Sequence, residues 1–572
     1  MMRSVGAERD ADAWTRATDG RMGRDKYAVD ARARGRERVA KLFEKRLKAR
    51  AGAEIGAAET RVSRSSDALD ASDETIVGCG VARGRLDVMG GIADYSGAVV
   101  AQLGTRARCR ATIRLRDARA GRGGFRVMTT DASGHVRVFE RAFQEVFDGR
   151  RFESVKTREF FERAEESERW AAYAAGAMSE FFRAVLADEG DEGLETLRRW
   201  VRDDVAKMRD VEIEIWSDVP QGKGVASSAA VEVAVARATA DCAVRAGAAS
   251  MTSARFLAHV DMIPIYCWMA ENDVVGAPCG FMDQYACFHS TETPTPGNFI
   301  AIDCDMTRTT AENAPSREYR FVALPKKLRV WGIDSGVRHS NSGGSDYAHV
   351  RCSTFMGKKA LVNEINARWN EDFIAGAVSL CGVMSAQEWD FGGMASPGSW
   401  SQHVEEEMNG KLFLARYIRH DDEPHTSVDP EKTYALRACV SHALREHDRV
   451  TDFLDILDDW PSNASEEDAR RLGRRLGELM LASHQSYSSV GLGSDATDEL
   501  VRCVRDADID REHLFGAKIT GGGSGGVVAV LALNTPEAAA AIERARAAYA
   551  RARGLDDLPG IVLGVHGDDA EA

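Results

Sequence analysis

The spacing of hydrophobic and polar positions changes several times along the chain, and each change predicts an element. Val211-Glu212-Ile213-Glu214-Ile215-Trp216 alternates with a period of two, the mark of a strand with one buried face. Phe125–Glu140 predicts two antiparallel strands around the turn residues Asp131-Ala132-Ser133-Gly134. Ile76–Val81, Leu328–Ile333, Lys518–Thr520 and Gly526–Leu533 are apolar runs of strand length. Trp170–Leu186, Ala229–Arg245 and Glu467–Ser486 predict helices. In the basic segment 30–50, Val39, Leu42, Phe43 and Leu47 recur at helical spacing. That spacing predicts one amphipathic helix within a basic, flexible extension covering residues 1–70. Acidic and Gly/Ser/Pro-rich material between Trp389 and Asp429 predicts an irregular insertion. No short repeat period is present, which disfavours a solenoid.

A chain of 572 residues is long enough for two or three domains with a substantial core. Its 44% hydrophobic and 29% charged content is ordinary for a globular protein. A net charge of −14 argues against a broad nucleic-acid surface, while leaving room for a local basic pocket. No run approaches the roughly 18–20 apolar residues of a membrane span. The N-terminus lacks the apolar core of a secretory signal, and its frequent Asp and Glu disfavour an organellar transit peptide. The 11 cysteines are odd in number and never form a C-x-x-C pair. Reduced thiols in a cytoplasmic compartment are therefore expected, rather than disulfides or a zinc site. Cys279 reads as a small buried thiol, because no activating histidine is suggested nearby.

Three glycine-rich stretches carry the candidate chemistry. They are Gly84–Gly97 (GRLDVMGGIADYSG), Pro220–Ala230 (PQGKGVASSAA) and Lys518–Gly526 (KITGGGSGG). In the second, Gly222 and Gly224 let the backbone turn tightly and approach a ligand. Ser227 and Ser228 fall at a predicted helix N-terminus, where unpaired N–H groups and the helix dipole favour a polyphosphate. Strand, glycine loop and helix occur here in the order that phosphate cradling requires. An ordinary capped helix after a turn would read the same way on this segment alone.

The second stretch resembles the P-x-G-x-G-(L/V)-x-S-S-A motif of the GHMP kinases, and the other two occupy the places of that superfamily's first and third motifs. The resemblance runs from about Val77 to the C-terminus. It implies a two-domain α/β (α+β) fold with the active site in the inter-domain cleft, an N-terminal domain over 71–325 and a C-terminal domain over 326–572. Glu271–Gln284 (ENDVVGAPCGFMDQ) and Asp334–Ser340 (DSGVRHS), followed by Ser345-Asp346-Tyr347, are similar to segments of the galactokinase branch. That likeness implies ATP and a small sugar as substrates and Mg²⁺ as cofactor, with no nucleic-acid or membrane partner. It further implies Asp283 as the catalytic acidic residue and Arg85 beside the attacking hydroxyl. Gly222, Gly224, Ser227, Ser228, Gly522 and Gly523 would hold the phosphates, and Ser228 and Glu271 the metal. Asp94, Gly280 and Tyr347 would face the sugar. A carboxylate in hydrogen-bond reach makes a weak hydroxyl nucleophile competent, and a neighbouring guanidinium favours its charged form. His339, His442 and His484 are expected to be hydrogen-bonded structural residues.

The departures from galactokinase bear on the sugar. That branch reads G-R-V-N-x-I-G-E-H-T-D-Y, and its Glu contacts the C6 hydroxyl of galactose; Gly91 and Ile92 stand here for Glu and His. The pocket loses a carboxylate and gains an apolar wall, which suits L-arabinopyranose, a galactose-like ring without the exocyclic CH₂OH. The segments GRLDVMGGIADYSG, Gly344–Tyr347 with Phe355–Lys359, and Gly493–Asp498 resemble the plant-type arabinokinase group within the branch. The expected product is β-L-arabinose 1-phosphate; a galactokinase, a uronic-acid 1-kinase and a non-catalytic sugar/ATP sensor are the alternatives. Arg83 stands where the family usually has Pro and would matter for a uronic acid. Plant arabinokinases also carry an N-terminal glycosyltransferase-like region, for which residues 1–70 are too short, so the kinase portion alone is expected.

Overall fold

The computed structural model describes residues 40–48, 75–117, 123–131, 133–147, 151–188, 194–205, 209–251, 253–292, 297–306, 318–338, 346–369, 379–385 and 400–566. Most of the 1–70 extension, His339, Ser340, Ser345 and residues 386–399 of the expected insertion lie outside them.

Two antiparallel-rich sheets organise the chain. The first contains β1 (Ile76–Met89), β2 (Val99–Asp117), β3 (Gly124–Asp131), β4 (Val136–Ala142), β5 (Arg209–Ser217), β6 (Asn298–Asp303) and β7 (Tyr319–Ala323). Its order is β4-β3-β5-β2-β6-β7, and β1 pairs with the long β2. Only the β3–β5 pairing is parallel. The chain then passes from β7 into β8 (Leu328–Asp334), the first strand of the second sheet. A two-residue pair, β9 (Met408–Asn409) and β10 (Thr433–Tyr434), stands apart. The second sheet adds β11 (Leu514–Ile519), β12 (Val527–Leu533) and β13 (Ile561–His566), in the order β11-β12-β8-β13.

Burial follows the hydrophobic pattern. In β5, Ile213 and Ile215 point into the core while Trp216 is 41% exposed, as the alternation requires. β12 reads Val-Val-Ala-Val-Leu-Ala-Leu and is buried throughout, because it lies between two strands with helices packed over it. The Ser227–Arg245 helix lies directly on β1. A Cβ at Gly80 would come within 2.0 Å of Ala234 O, so that close approach requires glycine on one side and small residues on the other. This packing delivers the helix N-terminus to the inner end of β1, where Arg85 sits.

The strand expected over Ile76–Val81 is longer: β1 continues through Gly84–Met89, paired with β2, and a 3₁₀ turn follows over Gly91–Ser96. The extension, expected to be flexible, is partly docked. Residues 40–48 form a helix with Leu42 fully buried and the Phe43 ring tilted at 36° to the His259 ring, centroids 4.6 Å apart. Arg46 reaches Tyr285 Oη at 2.9 Å and Glu318 Oε2 at 2.8 Å. The amphipathic spacing predicted the helix; burial of Leu42, about 1.5–3 kcal/mol, together with these polar contacts explains why it docks.

Candidate active site

The site forms where β1, the turn before the Ser227–Arg245 helix, the Met282–Glu292 helix and the loop after β11 converge. Arg85 projects from β1 and is 2% exposed. Its Nε and Nη2 donate to Asp283 Oδ1 at 2.9 and 2.7 Å, and Nη1 donates to Gly224 O. Both bonds to Asp283 land on one oxygen. No hydrogen bond to Oδ2 is present among the described residues, and Asp283 lines the cavity with its side chain 23% exposed. Asp283 stands in the first turn of the Met282–Glu292 helix, which fixes its place on the cavity lining.

Phosphate-binding potential is concentrated at the second stretch. Gly222 and Gly224 have φ of +67° and +70°, and the N-cap Ala226 is also left-handed at +60° with no side-chain cap. The first N–H groups of the helix, at Ser227 and Ser228, are therefore left for an external acceptor. The third stretch closes over this turn from the second sheet. Val527 N donates to Lys223 O at 3.1 Å, Thr520 Oγ1 donates to Gly224 O at 3.2 Å, and Lys223 Nζ pairs with Asp334 Oδ2 at 2.9 Å.

One cavity brings together Arg85, Ile92, Asp94, Gly222, Gly224, Ser227, Ser228, Gly280, Asp283, Tyr347 and Gly522. It does not reach three other predicted residues. Glu271 lies behind the wall, 6% exposed, and takes a hydrogen bond from Gln284 Nε2 at 2.7 Å as well as one from Ser228. Gly523 packs on Leu492, where a Cβ would meet the carbonyl at 2.7 Å. Gly91 faces away from the cavity, toward Tyr487. Arg83 is also outside it, donating from Nη1 to Thr105 O beside Arg108 and Arg106. Tyr173, Ala226, Cys279 and Met282 line the cavity without having been singled out for it. Tyr173 comes from a helix whose sequence carries no sign of a site; Cys279 and Met282 lay inside the Glu271–Gln284 block.

The electrostatics are dominated by buried carboxyls. Burial, then the nearby Asp283, push Asp94 up to about 7, against the opposing pull of Arg351. Asp94 Oδ1 accepts from Tyr95 N at 2.7 Å and Oδ2 from Met282 N at 3.4 Å. A Cβ at Gly280 would overlap this carboxyl at 1.8 Å, so Gly280 is the space Asp94 occupies. Glu271 is likewise pushed up to about 7 by burial and then by Asp283. Glu232, one turn beyond Ser228, is raised well above the usual carboxylate range by burial and then by Glu271. The Ser228 hydroxyl and the Glu271 carboxyl are hard oxygen donors that fit a small divalent cation. No group of three or more metal-type side chains occurs among the described residues, so such an ion would take its remaining ligands from phosphate and water. Cys279 is pushed up by burial, which suits an inert thiol, and every described cysteine is free. His442 bonds Ser486 Oγ at 2.8 Å, and His484 accepts from Ile519 N at 3.3 Å. Both are structural.

The GHMP kinases N terminal domain matches residues 194–291, and the GHMP kinases C terminal domain matches residues 463–551. The chain carries both domains characteristic of GHMP kinases. It is 31% identical over 513 residues to the L-arabinokinase of Arabidopsis thaliana, covering 83% of this chain and 44% of that protein. It is 26% identical over 350 residues to the galactokinase of Chloroflexus aggregans, covering 58% of this chain and 66% of that one. The chain thus spans less than half the length of the first relative and just under two thirds of the second. The solved structure of Lactococcus lactis galactokinase with galactose shares the fold, with a TM-score of 0.51 at 16% identity over 86% of this chain and 94% of that one. No described helix is long and apolar enough to cross a membrane.

Proposed function

We propose that this GHMP kinase transfers the γ-phosphoryl group of ATP to the anomeric hydroxyl of L-arabinose, giving β-L-arabinose 1-phosphate and ADP. The observation that carries the reading is the pairing of Asp283 with Arg85 through one carboxylate oxygen, in the same cavity as the uncapped helix N-terminus at Ser227 and Ser228. The free Oδ2 of Asp283 accepts the proton of the sugar hydroxyl as it attacks. Arg85 holds that carboxylate in place and lies where negative charge on the transferring group is stabilised. The turn at Gly222–Ser228 and the loop at Gly522 orient the phosphates for in-line transfer. Ser228 and Glu271 would hold Mg²⁺, which neutralises phosphate charge when bound.

Asp94 and Tyr347 supply polar contacts for the sugar, and Ile92 supplies an apolar end wall that suits a pentose lacking CH₂OH. The name of the Arabidopsis relative supports the same choice. Arg83, bonded to Thr105 O and outside the cavity, gives the uronic-acid reading no cation at the sugar.

A panel of sugars with Mg-ATP, read by coupled ADP release, tests the proposal. L-Arabinose should exceed galactose in kcat/KM by about tenfold or more; a faster galactose reaction overturns the substrate assignment. Sugar and ATP binding without ADP release from any sugar would instead make the protein a sensor.

A further inference from the structure

The backbone of the cavity wall at Ile92 is hydrogen-bonded from the second domain by a phenol. Tyr487, fully buried on the Glu466–Ser489 helix, accepts a hydrogen bond from Ile92 N at 2.8 Å and donates one to Gly521 O at 3.0 Å. Ile92 lines the cavity on one side, and Gly522, next to Gly521, lines it on the other. The ring has little freedom: Lys518 Nζ lies 5.2 Å from its centroid, and the His442 imidazole meets it edge-on at 5.1 Å.

The same hydroxyl occupies the space beyond Gly91. A Cβ built on Gly91 would lie 1.4 Å from Tyr487 Oη and 2.6 Å from Cζ, and φ at Gly91 is +42°. A packed, fully buried ring cannot move aside for it. A side chain at position 91 and a tyrosine at 487 are therefore mutually exclusive, although the two residues come from different domains.

We propose that Tyr487 is a positioning residue acting from across the cleft: it fixes Ile92 as the end wall of the sugar site, holds position 91 to glycine, and couples that wall to the phosphate-side turn at Gly521. The inference rests on the sugar-1-kinase reading and adds the residue that holds the end wall in place. Because one hydroxyl serves both turns, its loss weakens the handling of both substrates together.

Tyr487→Phe keeps the ring and removes the hydroxyl. With whichever sugar the wild-type protein phosphorylates, KM for the sugar and KM for Mg-ATP should both rise roughly threefold to tenfold, while the thermal midpoint moves only a few degrees. A purely structural tyrosine would lower the midpoint and leave both KM values unchanged, and that result overturns the proposal. Gly91→Ala supplies the reciprocal arm. It should cut kcat/KM about a hundredfold beside Tyr487 and much less beside Tyr487→Leu, which lacks the atoms at Oη and Cζ. Equal losses in the two backgrounds also overturn it. If Tyr487→Leu does not fold, the paired KM values of Tyr487→Phe decide alone. A wild-type protein that phosphorylates no sugar refutes the kinase reading itself, and does so before any variant is compared.

Discussion

At the scale of single residues, the site depends on how its carboxyls are held by their surroundings. Asp283 is anchored through Oδ1 to Arg85 and lines the cavity. Asp283→Asn keeps the size and loses the proton acceptor, so kcat should fall about 10²–10⁴-fold with nucleotide binding retained; stopped turnover with unchanged nucleotide titration is the expected pair of results. Asp94 behaves differently, because burial and Asp283 raise it to about 7. Between about pH 4 and pH 7 the unfolded chain ionises Asp94 while the folded protein holds the proton, so this residue's contribution to stability is lost as pH rises through that window. Asp94→Asn removes the loss. The variant should gain on the wild type by at most about 4 kcal/mol as pH passes from 4 to 7, as measured by denaturant melts at each pH. In the wild type, KM for the sugar should fall as pH rises through about 7, because the ionised carboxylate makes the stronger hydrogen bond to a sugar hydroxyl.

Individual elements show what the sequence could and could not reveal. β5, the Glu466–Ser489 helix and the turn at Gly222–Ala226 were legible because their signals are local: a period of two, a helical period, and glycines followed by serines. The course of β1 was not, because pairing with β2 draws Gly84–Met89 into a strand and no local signal announces that. Gly91 was recognised as a departure from galactokinase, but its reason is a hydroxyl on Tyr487, about 400 residues away in the chain. The helix at 40–48 is the third case. Its amphipathic spacing was visible, yet its partners Tyr285 and Glu318 lie 239 and 272 residues further on. That helix braces Tyr285, two residues beyond Asp283. A chain beginning near Ala71 exposes the surface that Leu42 covers and leaves Glu318 without Arg46. Its thermal midpoint should drop by several degrees, for a loss on the order of 2–5 kcal/mol. Leu42→Ala in the full chain should show part of that loss, and an unchanged midpoint in both would mean the helix contributes nothing.

For the whole molecule, the central question is what keeps two separately built sheets in register around one cavity. The deepest link is Lys518 on β11 with Asp87 on β1, 2.8 Å apart and both fully buried. Asp87 also accepts from Gln102 Nε2 at 2.8 Å and Gly91 N at 3.0 Å through its other oxygen, so the carboxylate is fully engaged. Burial acts to raise the Asp87 pKa, and Lys518 with Arg85 more than offsets it, leaving the group below the usual carboxylate range. A depressed folded value means stability that is present above about pH 4 and lost as the pH falls further. Lys518→Met removes the main compensating cation and leaves a buried carboxylate facing an apolar chain, a change that costs about 3–5 kcal/mol. The pH dependence identifies the cause. The gap between wild type and Lys518→Met should be widest near pH 7 and close toward pH 4, where protonation of Asp87 neutralises the stranded charge. Adding Asp87→Asn to Lys518→Met should restore much of the loss at pH 7, because no buried charge then remains uncompensated. Denaturant melts of the three proteins across pH 4–8 measure both effects. A gap that stayed constant with pH would show that Lys518 stabilises the domain junction by packing rather than by charge.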